Sequence, residues 1–356
     1  MKIVTIFGTR PEIIKLSALI PLFDEEFDQI LIHTGQHYSY NMDQIFFDDL
    51  KIRSCDYTLN VGSGSHAQQT GKMMISLEDI LIEEKPDLVV VQGDTNSTLS
   101  GALAASKLNI PIVHIEAGCR SFDRKMPEEI NRLVVDHISS YLFVPDKNAY
   151  NNLINEGIST DKLFLVGNTS VDACLRAMDI FKMDNLDNNE DNEDYILLTL
   201  HRQENTSYDG LNEILKAVNM ISEKVKVIFP VHLRTKKIIE ENKIEISKNV
   251  IMTDPLGYKE FIGIISSSKF VLTDSGGIQE ECAILNIPCL ILRDTTEWMT
   301  YVESGKNLII GTDPEKIVES VNNLLVNSYK IEEMKQIIYK IDKNTSKKIV
   351  SALKEY

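Results

Sequence analysis

Short apolar runs rich in β-branched residues alternate along the chain with longer stretches whose apolar positions recur every three or four residues. The short runs at 2–7, 29–33, 87–92, 110–115, 141–144 and 162–166 predict strands. Between them, stretches such as 11–23, 69–84, 97–107 and 128–139 predict helices. Such alternation implies right-handed helical crossovers, and so a mostly parallel sheet covered by helices on both faces. At 183–194 the pattern stops. That acidic, Asn-rich segment has too little apolar surface to bury and predicts a solvated loop near a domain boundary. Strands then resume at 195–200, 225–230, 250–253, 269–273, 289–292 and 307–310. The expected fold class is α/β, with two Rossmann-like doubly wound domains, 1–168 and 169–339, facing a cleft. The final segment, 332–356, reads as helical, and its last part from about 340 is expected to pack back onto the first domain.

Composition narrows the partners. A chain of 356 residues that is 43% hydrophobic can fill two cores. Its formal charge of −16 repels nucleic acid and anionic membrane, so neither is expected as a partner, and a bound polyanion must be met by local basic groups. The five cysteines (Cys55, Cys119, Cys174, Cys282, Cys289) are scattered and odd in number, which predicts neither a disulfide framework nor a metal site and fits a reducing cytoplasm. The first apolar run ends at Gly8-Thr9-Arg10-Pro11 without a signal peptide's core or cleavage site, and no stretch approaches the roughly 20 apolar residues a bilayer requires.

Candidate chemistry gathers at predicted strand ends, where doubly wound sheets bind ligands. Thr273-Asp274-Ser275-Gly276-Gly277-Ile278-Gln279-Glu280-Glu281 follows an apolar run and opens a helix. That geometry aims backbone N–H groups and a helix dipole at an anion, while Glu280 and Glu281 supply acceptors for hydroxyls. A sugar-bearing nucleotide diphosphate is the local reading. At the first strand's end, Arg10 and Lys15 flank a helix-initiating Pro11 and are expected to converge on a ligand. Asp94 and Glu116 end neighbouring strands, and paired carboxylates suit acid/base work; a helix N-cap is the equally weighted reading of Asp94 alone. Glu128 and Arg132 stand four apart on a helix, either as an exposed ion pair or facing a ligand, whereas Glu129 reads as structural. His201 and His232 follow two strands of the second half, positions that favour a cleft role. Gln69-Thr70-Gly71-Lys72 fails as a P-loop because His66 and Met73 stand where it needs Gly and Ser/Thr. Gly62-Ser63-Gly64-Ser65-His66-Ala67 lies outside the first βα turn and reads as a loop, and Met73 and Met74 read as core.

Taken together, Gly8-Thr9-Arg10-Pro11-Glu12, Gly93-Asp94-Thr95, Glu116-Ala117-Gly118, Pro127-Glu128-Glu129-x-Asn131-Arg132, His201-Arg202-x-Glu204-Asn205 and Asp274 to Glu281 resemble the non-hydrolysing UDP-N-acetylglucosamine 2-epimerases. The resemblance runs in order along almost the whole chain. It implies a glycosyltransferase-B arrangement, a homodimer, a UDP-sugar substrate and no cofactor or metal. The implied reaction eliminates UDP to a 2-acetamidoglucal and re-adds it after C2 is protonated on the other face. Acid/base or sugar-positioning roles are implied for Asp94, Glu116 and Glu128, a phosphate or leaving-group role for His201, and substrate binding for Arg10, Lys15 and Arg132. Ser275, Gly276 and Gly277 would hold the diphosphate, Glu281 the ribose, and Leu256 and Phe261 the uracil. Gln36, His37, Arg202 and His232 resemble parts of a regulatory UDP-N-acetylglucosamine site. One departure stands out: after Arg293-Asp294-Thr295-Thr296-Glu297 the family pattern continues Arg-Pro-Glu, but this chain has Trp298-Met299-Thr300. That variant resembles relatives acting on UDP-2,3-diacetamido-2,3-dideoxyglucuronate, the alternative substrate. A hydrolysing epimerase and a non-catalytic nucleotide-sugar sensor are the more distant readings.

Overall fold

The computed structural model describes residues 1–36, 40–184, 194–296, 298–337 and 342–355. His37 and most of the acidic 183–194 segment lie outside them. The chain divides into two compact units, Met1–Arg176 with Asp342–Tyr356, and Ala177–Ile341.

In the first unit, β1 (Lys2–Phe7), β2 (Asp28–His33), β3 (Tyr57–Thr58), β4 (Leu88–Gln92), β5 (Ile112–Ile115), β6 (Tyr141–Val144) and β7 (Leu163–Leu165) form one sheet in the order β3-β2-β1-β4-β5-β6-β7. Every pairing is parallel. The two-residue β3 has no apolar run to announce it and was not foreseen. Both faces of this sheet are covered, so its strands are buried almost without interruption. On one face Val4, Ile6, Val89 and Val91 pack with Met73, Leu77 and Leu81 of helix His66–Glu84 and with the alanines of helix Asn96–Lys107. Each fully buried aliphatic side chain contributes about 1.5–3 kcal/mol.

The single helix expected over 11–23 is two helices, Arg10–Leu16 and Ile20–Glu26. Pro21 has no N–H to give and its ring collides with a helical carbonyl four residues back, so the helix cannot run through Ser17. Leu19 N–H instead bonds the Leu16 carbonyl at 2.9 Å. Helix Thr345–Lys354 packs against Ile20–Glu26 and buries Ile349, Val350 and Leu353.

The second unit repeats the design. Strands β8 (Tyr195–Thr199), β9 (Lys226–Pro230), β10 (Val250–Thr253), β11 (Val271–Thr273), β12 (Cys289–Ile291) and β13 (Asn307–Ile309) form an all-parallel sheet in the order β10-β9-β8-β11-β12-β13. Helices Tyr208–Ser222 and Pro314–Val326 close one face with Leu211, Ile214, Leu215, Ile317 and Val321. Strand order reverses between β1 and β4 in the first sheet and between β8 and β11 in the second. Parallel sheets open a ligand crevice beyond the carboxyl ends of such strand pairs. All five cysteines are free thiols, and no described helix is long and apolar enough to cross a membrane.

Candidate functional site

The turn after β1 starts the first unit's site. Gly8 has no space for a side chain, since a Cβ there would fall 1.8 Å from Thr34 Oγ1 and 2.4 Å from Ser97 Oγ. Pro11 then opens helix Arg10–Leu16. Glu12, 2% exposed, accepts from Gly8 N (3.0 Å), Thr9 Oγ1 (2.8 Å), Thr95 Oγ1 (2.9 Å) and Thr98 Oγ1 (3.2 Å). It fastens the β1 turn to the β4 turn across the switch point. Burial raises its pKa against those four donors. Arg10 lies over the Phe46 ring, 5.2 Å from its centroid.

Lys15 Nζ, one turn into the helix, meets both Glu116 oxygens at 2.8 and 2.6 Å, and Gln92 Nε2 donates to Glu116 Oε2 at 2.5 Å. Glu116 takes a left-handed backbone (φ 69°) directly after β5. A non-glycine residue held there is a constrained position of the kind that gathers at functional sites. Asp94 follows β4 and receives Arg132 Nη1 at 2.7 Å. Burial lifts its pKa above the ordinary carboxylate value; Arg132 and Lys15 oppose the shift, and Glu116 and Glu128 add to it. Thus Asp94, Glu116, Glu128, Lys15 and Arg132 share one electrostatic environment. The capping alternative for Asp94 falls to its neighbour, because Thr95 caps helix Asn96–Lys107 through Thr98 N.

Arg132 does not pair with Glu128. It bridges Asp94 and Glu129 (Nε to Oε2, 3.0 Å), leaving its buried Nη2 without a partner. Glu129 accepts from Ser121 N (2.9 Å), Ser121 Oγ (3.1 Å) and Phe122 N (2.9 Å), the structural role expected of it. Glu128 is half-buried on the first turn of helix Pro127–Ile138.

In the second unit, Ser275 precedes helix Gly276–Leu285, and its hydroxyl makes no capping bond. Gly277 faces open space. The fully buried Asp274 carboxylate accepts from His201 N (2.9 Å), Arg202 N (3.1 Å) and Asn205 Nδ2 (2.9 Å), so it shapes the turn after β8 from the end of β11. The His201 ring is exposed beside this turn. Glu281, desolvated by the surrounding protein, has its pKa pushed up to about 8; a Tyr258 hydrogen bond lowers it and Glu280 raises it. Leu256 is 36% exposed, and Phe261 is half-buried on helix Tyr258–Ser267. A cavity of about 700 Å³ opens at the carboxyl ends of β8, β12 and β13, where Arg202, Arg293, Asp294 and Thr312 line it.

Of the residues matched to a regulatory site, Gln36 belongs to the first unit and Arg202 and His232 to the second. His37 is outside the described residues. Gln36 Oε1 accepts from Ser97 N (2.9 Å) and Ser97 Oγ (2.8 Å), and His232 caps helix Leu233–Glu241 through Arg234 N (3.3 Å). Each has a local structural use. Arg202 Nε reaches the Asp274 carbonyl at 3.3 Å. The departing Trp298 stacks on Tyr301, with ring centroids 5.6 Å apart, and Trp298 N donates to Thr296 Oγ1 at 3.2 Å. Thr296 in turn donates to Gln279 at 2.5 Å, tying this loop to the helix that opens at Gly276. Among the described residues no cluster of three or more His, Cys, Asp or Glu side chains is arranged to hold a metal ion.

Sequence reasoning missed two organisers. Glu12 stood in the quoted motif, but two of its four donors, Thr95 and Thr98, lie more than 80 positions away, and Asp274 reads as part of a turn rather than as the brace of another strand's end.

Residues 23–354 match the family model described as UDP-N-acetylglucosamine 2-epimerase. A Methanococcus maripaludis protein of that name is 50% identical over 337 residues, 91% of this chain and 92% of its own length. A Pseudomonas aeruginosa protein named UDP-2,3-diacetamido-2,3-dideoxy-D-glucuronate 2-epimerase is 44% identical over 335 residues, again 91% and 92% of the two chains. The solved structure of UDP-GlcNAc 2-epimerase from Methanocaldococcus jannaschii superposes over 100% of both chains with a TM-score of 0.87 at 44% identity.

Proposed function

The chain belongs to the UDP-N-acetylglucosamine 2-epimerase family, and on that premise we propose that it is an isomerase interconverting UDP-N-acetylglucosamine and UDP-N-acetylmannosamine without hydrolysis. The observation that carries this reading is the set of carboxylates Asp94, Glu116 and Glu128 around one switch point, with Lys15 and Arg132 among them. A binding protein needs no such set; a reaction that removes and returns a carbon-bound proton does.

In the proposed reaction a carboxylate takes the C2 proton, the C2–H electron pair forms the C1=C2 bond, and the C1–O bond breaks with its pair leaving on UDP. Return of a proton to the opposite face of C2 and attack of the UDP oxygen at C1 complete the inversion. Electrons balance without a redox cofactor. The first unit supplies the proton-handling groups and, through Arg10 and Lys15, cationic contacts. The second supplies the leaving-group donors: the first-turn N–H groups at Gly276 and Gly277, whose partners a helix does not provide internally, the Ser275 hydroxyl, since the Ser275 N–H is taken by Thr273 Oγ1 at 3.0 Å, and His201. Glu281 would accept from ribose hydroxyls, and Leu256 and Phe261 would flank uracil. We further propose a cytoplasmic homodimer, the assembly implied by the motifs, with the free thiols suiting a reducing compartment.

The second reading, UDP-2,3-diacetamido-2,3-dideoxyglucuronate as substrate, is favoured by Trp298 in place of the family arginine and by the similarity to the Pseudomonas aeruginosa protein. Incubating the protein with each UDP-sugar and following the anomeric signals by proton NMR separates the two. A UDP-N-acetylmannosamine signal supports the first reading, turnover of the uronate alone supports the second, and free UDP with N-acetylmannosamine would reveal a hydrolase.

A further inference from the structure

His114 lies in β5, two residues before Glu116, and is fully buried. Its Nδ1 is 2.7 Å from Asp136 Oδ1 and its Nε2 is 2.8 Å from the Gly93 carbonyl oxygen. The other oxygen of Asp136 accepts from Gly118 N at 3.1 Å and pairs with Arg120 Nη2 at 2.7 Å, and this cation keeps the buried carboxyl ionised. A carboxylate and a carbonyl have no hydrogen to give, so both ring nitrogens must donate, and a ring with two N–H groups is an imidazolium. Burial favours the neutral ring, yet Asp136, the Gly93 carbonyl and Glu116 together raise the His114 pKa, while His114 and Arg120 hold Asp136 below the usual carboxylate range.

The pair joins two turns. Gly93 immediately precedes Asp94, and Gly118 follows Glu116 by two residues. Both glycines have positive φ (73° and 83°), and a Cβ on Gly118 would lie 2.4 Å from the Ala149 carbonyl oxygen. Neither turn can move far without breaking the bond to His114 or Asp136.

We propose that the His114 imidazolium and Asp136 form a positioning pair that locks the turn bearing Asp94 to the turn bearing Glu116, setting the geometry of the two carboxylates without touching substrate. The proposal builds on the 2-epimerase reading. The charged groups acting on the ring are Asp136 and Glu116; Arg120 pairs with Asp136 and is itself held by Glu156 (2.8 and 2.7 Å). Because the ring is held protonated, its contribution is complete below the ordinary histidine pKa and is lost as pH rises through the raised folded value.

The test uses the full-length protein with ¹⁵N-labelled histidine. At pH 8 the wild type should show one histidine protonated at both ring nitrogens, a signal absent from His114→Gln; a neutral tautomer for that residue overturns the proposal. In kinetics, His114→Gln and Asp136→Asn should lower kcat about 10- to 100-fold, as a displaced reactive group does. KM and UDP affinity should stay within about twofold, a split that general unfolding would not give. Activity of His114→Gln within twofold of wild type also overturns the positioning role. If wild type turns over no UDP-sugar, the epimerase reading fails; the ring signal then still decides the charge, and faster amide exchange of Asp94 in His114→Gln decides the lock, unchanged exchange refuting it.

Discussion

Replacing Glu281 with Gln tests whether the second unit's acceptor is coupled to a proton. The carboxyl, desolvated and next to Glu280, has a pKa of about 8. At pH 7 such a group is ionised in about one molecule in eleven, and at pH 9 in about ten of eleven. If ribose hydroxyls donate to the carboxylate, only the ionised fraction is competent. The apparent Kd for UDP should then fall about tenfold between pH 7 and pH 9, since apparent affinity scales with the competent population. That factor corresponds to about 1.4 kcal/mol. Calorimetric titration with UDP at both pH values measures it. Glu281→Gln serves as the control, because it retains the ligand's own ionisations and loses only this proton. The variant should bind with nearly pH-independent affinity, so the wild-type to variant ratio should change about tenfold across the range. A ratio that stays constant, or that moves the opposite way, would refute the ionised-acceptor role.

The same proton affects stability. Because folding raises the Glu281 pKa from 4.5 to about 8, the folded state holds the proton more tightly and stability falls with pH across that window. Glu281→Gln should therefore flatten the decline of ligand-free Tm between pH 5 and 8, and an unchanged slope would remove this group as its source. Asp274→Asn should cost about 1–3 kcal/mol in urea unfolding, since an amide would turn N–H toward groups that can only donate. Gly8→Ala must push Thr34 and Ser97 apart and should cost about 1–3 kcal/mol, read from the same denaturant midpoint. Lys15→Met leaves Glu116 without its cation and should reduce kcat/KM about 100-fold, with the circular dichroism spectrum unchanged.

Periodicity made the two parallel sheets legible because each strand is buried on both faces and reads as an apolar run, while the helices keep their own spacing. Length was the limit for β3, where Tyr57 and Thr58 pair with β2 through only two residues. Strand ends were legible as chemical positions: Asp94 and Glu116 follow two of them, and Lys15 meets Glu116 from the helix that follows a third. The choice among partners was not. Nearest-neighbour rules offered Glu128 to Arg132 and Asp94 to the following helix, whereas Arg132 bonds Asp94 and Thr95 takes the cap. Buried carboxylates were hardest to read, because Glu12, Asp136 and Asp274 look like ordinary turn or helix acids until their donors arrive from distant strands. The same applies to His232, whose helix cap is a local use that its place after β9 did not reveal.

On the 2-epimerase reading, the Asp94 and Glu116 carboxylates move a proton at sugar C2 while UDP departs from and returns to C1. Wild type, Asp94→Asn and Glu116→Gln should each be incubated with UDP-N-acetylglucosamine in D2O and C2 deuterium followed by NMR. Wild type should place solvent deuterium at C2 in both substrate and product pools, and each variant should slow that exchange at least about 100-fold with UDP binding retained. Epimerisation by wild type without deuterium at C2, or exchange undiminished in both variants, would contradict the account.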